Sequence, residues 1–203
     1  MIAITDYGVG NLFSIKSSLD TVGAESVITS DANVLIQADK IILPGVGAFR
    51  DAQKKLSESG LDKVIINEAQ KGKPILGICL GMQLLFEKSY EYGEYEGLGL
   101  IKGKIRPIAD VIGEGLSIPH IGWNPLIMKK KSPLYKYVKD GECVYFVHSY
   151  YAANCDESVS ATAEYGCELT ASAEQGNVFG CQFHPEKSGK TGLNILKAFS
   201  EML

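Results

Sequence analysis

Two residues of the chain are typed and placed for covalent chemistry. Cys79 stands in Gly77-Ile78-Cys79-Leu80-Gly81-Met82-Gln83, and His184 stands in Cys181-Gln182-Phe183-His184-Pro185-Glu186-Lys187-Ser188. An apolar run, KPILGI, leads into Cys79 and a helical pattern follows it. Strand, G-x-C-x-G, helix is the arrangement of a nucleophile elbow, whose sharp turn leaves no room for side chains at the flanking glycines. A sulfur at the start of a helix meets free N–H groups that favour its charged form. Cysteine is also a common buried residue, so the motif by itself leaves a small core residue open. A nucleophile needs a base and the base needs an orienting group. His184 can take and return a proton near neutral pH, and the carboxylate of Glu186 can hold its tautomer. Donors for an oxyanion are available in LPGVGAF: Gly45 and Gly47 leave the backbone around Val46 free to turn its N–H groups inward. The N–H of Leu80 is a further candidate.

These groups need elements to hold them. MIAIT, ESVITS, DKIILPG and KPILGI read as short, continuous apolar strands, the pattern of a sheet covered on both faces. NLFSIKSSLDTVG, FRDAQKKLSESG and LDKVIINEAQKG read as amphipathic helices that each end at a glycine. Alternating strands and helices imply βαβ units and a doubly wound, mostly parallel sheet. MQLLFEKS reads as one helix after Cys79, and the acidic, tyrosine-rich EKSYEYGEYEG as a surface loop. In the second half GLIKGKIRPI, HIGWNPLIM, CVYFVHSYYA, SVSATAEY, CELTASAEQ and NVFGCQFHPE read as strands that extend the sheet and add a small antiparallel layer. The closing TGLNILKAFSEML reads as a helix with Leu193, Leu196, Phe199 and Leu203 on one face.

With 203 residues, 45% hydrophobic and 22% charged, the chain has the composition of a soluble globular protein, here expected as a single domain over 1–203. A net charge of −4 without a long basic run speaks against nucleic acid as a partner. No leader and no apolar stretch of membrane-spanning length is visible, so a cytoplasmic protein is expected. Five cysteines without C-x-x-C spacing and three scattered histidines suggest neither a disulfide framework nor a metal site. The early G-x-G-N lacks the third glycine of a dinucleotide loop and the Lys-Ser/Thr of a P-loop; no cofactor is expected.

GICLGMQ together with HPE, in this order on an α/β chain, resembles the class I (triad-type) glutamine amidotransferases, and PGVG resembles their oxyanion strand. The resemblance implies a flavodoxin-like α/β fold, a catalytic triad of Cys79, His184 and Glu186, and oxyanion donors from Gly45, Val46, Gly47 and Leu80. It also implies binding of L-glutamine by Gln83 and by the backbone of Ser149 and Tyr150. DYGVGNLFS, PHIGWNPL and HPEKS further resemble the branch that serves imidazole glycerol phosphate synthase in histidine biosynthesis. That branch works as a heterodimer with a (β/α)8-barrel synthase subunit, which receives the ammonia. Asn11, Trp123 and Lys187 are the candidates for its docking surface, although Asn11 also suits a helix N-cap and Trp123 a core. The glutaminase subunits of anthranilate or aminodeoxychorismate synthases, and cysteine amidohydrolases that need no partner, share the triad pattern and stay open.

Overall fold

The computed structural model describes residues 1–202. The first half contributes β1 (Ile2–Thr5), α1 (Leu12–Thr21), β2 (Ser26–Thr29), α2 (Ala32–Gln37), β3 (Lys40–Leu43), α3 (Phe49–Glu58), α4 (Leu61–Gln70), β4 (Ile75–Ile78) and α5 (Leu80–Leu85). The second contributes β5 (Phe86–Ser89), β6 (Tyr95–Glu96), β7 (Ile101–Pro107), β8 (His120–Pro125), β9 (Ile127–Met128), β10 (Cys143–His148) and β11 (Tyr150–Ala153). It ends with β12 (Val159–Glu164), β13 (Glu168–Gln175), β14 (Val178–Cys181) and α6 (Gly189–Ser200).

An eight-stranded sheet in the order β2-β1-β3-β4-β14-β13-β12-β9 forms the centre. Its first five members are mutually parallel, and β13, β12 and β9 continue it antiparallel. The period-two alternation of a strand divides the apolar residues between two cores. Ala3, Ile41, Leu43 and Ile75 pack with Leu35, Phe49, Leu56, Ile65 and Leu84 of α2 to α5. Ile4, Ile42, Leu76 and Ile78 face the other way, against Ile15 and Leu19 of α1 and Ile195 and Phe199 of α6. Helices therefore cover both faces, as the continuous apolar strands require.

Four expectations need correction. Between β2 and β3 lies a helix that the sequence pattern had not suggested: α2, whose Asp31 cap accepts the N–H of Asn33 at 2.8 Å. The segment after Cys79 is not one helix. It ends at Leu85, and Phe86 turns to extended backbone and starts β5. The acidic EKSYEYGEYEG is no plain surface loop either, because β5 and β6 pair as a hairpin and Ser89 and Glu91 are buried inside it. The hairpin belongs to a second sheet, β11-β7-β5-β6, in which β5 and β7 run parallel and the other pairs antiparallel. On α6 the buried face is Gly192, Ile195, Leu196 and Phe199; Leu193 is half-buried and Leu203 lies outside the described residues. A separate ribbon pairs β8 with β10.

The turn between β4 and α5 is crowded. A Cβ on Gly81 would sit 1.9 Å from the carbonyl oxygen of Leu43, and one on Gly45 would sit 2.7 Å from the N of Gly81. Bare backbone is the only material that lets β3 and α5 approach so closely. Gly81→Ala is expected to lower unfolding free energy by about 3 kcal/mol or more, the upper end of overpacking effects; urea unfolding monitored by circular dichroism measures it, and an unchanged midpoint would contradict the close contact.

Candidate active site

Three neighbouring parallel strands end at the same edge of the sheet. Leu43 of β3 pairs with Gly77 of β4, and Ile78 of β4 pairs with Cys181 of β14. The residues that follow the three strands, residues 44–47, Cys79, and Gln182 to His184, are therefore delivered side by side. This is where open α/β sheets place their sites.

Cys79 adopts φ 55° and ψ −112°, a conformation that costs an L-residue on the order of 1–3 kcal/mol. Its own N–H donates to the carbonyl of Cys181 at 2.8 Å, which fixes the elbow to β14. His184 is held by the same neighbourhood: its N–H donates to Tyr145 O on β10 at 3.0 Å. A 3-10 turn, Pro185–Lys187, follows and brings Glu186 back. The imidazole Nδ1 donates to Glu186 Oε1 at 2.8 Å, with both side chains almost wholly buried. Cys79 and His184 line the same cleft, and the sulfur acts on the ring from there. The second carboxylate oxygen of Glu186 has no partner among the described residues.

Burial pulls the His184 pKa down, but the bonds and charges of Cys79 and Glu186 outweigh it and push it up to about 9. The ring is thus a proton donor at neutral pH, as departure of an amine requires. His148, on the wall of the same cleft, goes the other way. Burial lowers it to about 4, against the hydrogen bond it donates to Tyr150 O, and the nearby charges of His120 and His184 lower it further. It is neutral.

The cleft above Cys79 has a volume of about 620 Å³. Val46, Gly47, Leu80, Gln83, Ser149, Tyr150 and His184 all line it. The N–H groups of Val46 and Gly47 meet no acceptor within the protein among the described residues, and Gly47 has φ +93°. Gly45 is buried behind them against Leu80. The sequence-derived residues of the chemistry are therefore in one place. The docking candidates Asn11, Trp123 and Lys187 are not among the residues that line it. Asn11 follows Gly10, which packs on Pro44, and its side chain makes no cap hydrogen bond. Trp123 is 56% exposed rather than in a core, and Lys187 is exposed beside Glu186.

Three residues of the site escaped the sequence reading. Tyr7 donates to Pro44 O at 2.7 Å and props the Gly45 stretch from below; burial, then the charge of Cys79, hold its phenol protonated. Glu91 lines the cleft, accepts the N–H of Phe49, and is pushed up by burial. Gln182, fully buried, reaches both Cys79 and Gln83. The tyrosine stood in a quoted motif and the glutamine two places before His184, but nothing local gave either a role.

A His pKa raised on folding contributes stability that is complete below about 6.5 and is lost as the pH rises through about 9. Urea unfolding across that window is expected to show wild type losing more stability than His184→Gln; parallel curves would refute the raised value. Glu186→Gln is expected to lower turnover by on the order of 10³–10⁴, as loss of the tautomer-holding carboxylate does in triads, and an NMR titration should show its His184 midpoint falling.

A family model described as glutamine amidotransferase class-I matches residues 3–202. A protein of Oceanobacillus iheyensis named imidazole glycerol phosphate synthase subunit HisH is 50% identical, with 100% of both chains covered. Its namesake in Caldanaerobacter subterraneus subsp. tengcongensis is 52% identical over 100% of this chain and 98% of its own. In fold the chain is similar to a crystal structure of a glutamine amidotransferase, with a TM-score of 0.76, 19% identity, and 98% of this chain and 99% of that one covered. It is similar also to PurLQS from Thermotoga maritima, with a TM-score of 0.74, 24% identity, and 98% and 96% covered. The chain belongs to the class I glutamine amidotransferase family.

Proposed function

We propose that the chain is the glutaminase subunit of an imidazole glycerol phosphate synthase, with Cys79, His184 and Glu186 as its catalytic triad. One observation carries the catalytic assignment: a cysteine in a strained turn shares a cleft with an imidazole that a buried carboxylate holds at 2.8 Å. The relatives named for that synthase, at about half identity over full length, support the choice of complex.

The sulfur of Cys79, as thiolate, attacks the side-chain amide carbon of glutamine. A C–S bond forms and the carbonyl π pair moves to oxygen, where backbone N–H groups of Leu80 and the Val46–Gly47 stretch accept the charge. His184 gives its proton to the nitrogen as the C–N bond breaks, and ammonia leaves. A γ-glutamyl thioester remains. Water then attacks it while the now neutral His184 takes a proton, and glutamate departs as the thiolate reforms. Gln83 and the backbone of Ser149 and Tyr150 grip the substrate. Glu91 is the only carboxylate on the cleft wall among the described residues, which suits it to the ammonium group at the far end of glutamine.

Ammonia has value only if it reaches its acceptor uncharged. A (β/α)8-barrel synthase seated over the cleft mouth would receive it and use it on a phosphoribosyl-formimino aminoimidazole carboxamide ribonucleotide. Asn11, Trp123 and Lys187 are the proposed contacts for that partner. Val46 is 42% exposed in this state, and with glycine on either side its peptide can turn at little steric cost, which gives the partner a means of completing the oxyanion site.

Glutamate release is to be measured with and without the barrel subunit and its nucleotide ligand. Turnover is expected only from the complex with wild-type chain, rising with ligand, and lost in Cys79→Ala. Equal turnover by Cys79→Ala would overturn the triad, and turnover indifferent to the partner would overturn the coupling.

A further inference from the structure

Gln182 lies two positions before His184, has no exposed surface, and is used by no step of the chemistry above. Its backbone N–H donates to Ala171 O at 2.8 Å, which fixes the residue to β13. Its side chain spans two functional groups. Nε2 donates to Cys79 Sγ at 3.7 Å, and Oε1 accepts from Gln83 Nε2 at 2.9 Å. Gln83 Nε2 also points at Tyr150 O, at 3.4 Å.

The direction of this chain is decided at its outer end. A backbone carbonyl only accepts, so the atom of Gln83 that faces Tyr150 O must be its NH2 group. That NH2 then donates to Gln182, whose facing atom must be oxygen. The NH2 of Gln182 is thereby turned toward the sulfur. Reversing Gln83 would set two acceptors against each other, and reversing Gln182 would set two donors against each other, in a buried space and at a cost of about 1–3 kcal/mol.

We infer that Gln182 is a positioning residue for the nucleophile: its NH2 favours the charged sulfur of Cys79, and its carbonyl holds Gln83 in the orientation that meets glutamine. An N–H bond to a neutral thiol is weak, and it strengthens when the acceptor becomes an anion. Gln182 thus donates to the sulfur without giving up its proton, a part distinct from that of His184. Because Oε1 is committed to Gln83, nucleophile and substrate grip are set by one side chain. The inference deepens the glutaminase assignment and rests on it.

The test uses the full chain, alone for the midpoints and with the barrel subunit for protection by glutamine. Alkylation of Cys79 by iodoacetamide is followed against pH, with peptide mass spectrometry to separate it from the exposed Cys143. Gln182→Met keeps the volume and removes the donor; Gln182→Glu keeps the shape and sets an acceptor against the sulfur. The alkylation midpoint is expected to rise by about one pH unit in Gln182→Met, the lower end of what a hydrogen bond to a charged group supplies, and further in Gln182→Glu. The glutamine concentration that half-protects Cys79 should rise several-fold in Gln182→Met. A purely structural side chain predicts the opposite order, with the isosteric Gln182→Glu the milder change. That order, or midpoints unchanged in both variants while thermal melting falls, would overturn the inference. Should Gln182→Met fail to fold, the midpoint of Gln182→Glu decides by itself. Failure of glutamine to protect the wild-type sulfur in the complex with the barrel subunit would overturn the glutaminase assignment instead; the midpoints need no substrate and still decide the role of Gln182.

Discussion

A cysteine held at positive φ is the constraint around which the rest is arranged. Left to itself the residue would relax out of φ 55°, because the conformation is unfavourable for any side chain with a Cβ. It stays because each side of the turn is fixed. β4 enters from the middle of the sheet, the Cys79 N–H is tied to Cys181, and α5 leaves across the backbone of Leu43, close enough to require glycine at position 81. The same crowding puts Gly45 against Leu80, so the candidate oxyanion stretch and the nucleophile share one contact. Strain at the sulfur and placement of the donors are a single packing problem.

Electrostatics then separate three histidines of one fold. His184, His148 and His120 are all buried, and burial by itself would keep every one neutral. Among the described residues, His184 alone of the three bonds to a carboxylate, and it alone has a raised pKa. His148 and His120 bond to each other, at 3.0 Å, and to neutral groups, and both are lowered. Positive charge among the three rings is thus confined to His184.

Much of this was legible in the sequence because it is local. The apolar runs, the glycine stops and the elbow depend on residues a few places apart, and β1, β3, β4, α1, α3 and α4 follow them. What failed depended on distant partners. Phe86 continues an apolar helical pattern, yet its strand is decided by pairing with Ile101 of β7. Glu91 reads as solvated among acidic neighbours, yet the N–H of Phe49 gives it a buried partner from another part of the chain. Tyr7 and Gln182 matter through Pro44 and Cys79, neither of which is near them in sequence. α2 is the exception. It is local, yet six residues with one buried leucine give too short a periodic signal.

The place of β14 in the sheet has a bearing on how the molecule comes into being. Residues 178–181 occupy an interior position between β4 and β13, although they lie far from β4 along the chain. Pairings between distant segments pay their closure entropy before they are rewarded. β14 is also the strand that joins the parallel half of the sheet to the antiparallel half. One pairing thus links the two halves and sets the imidazole that follows it beside the sulfur that follows β4.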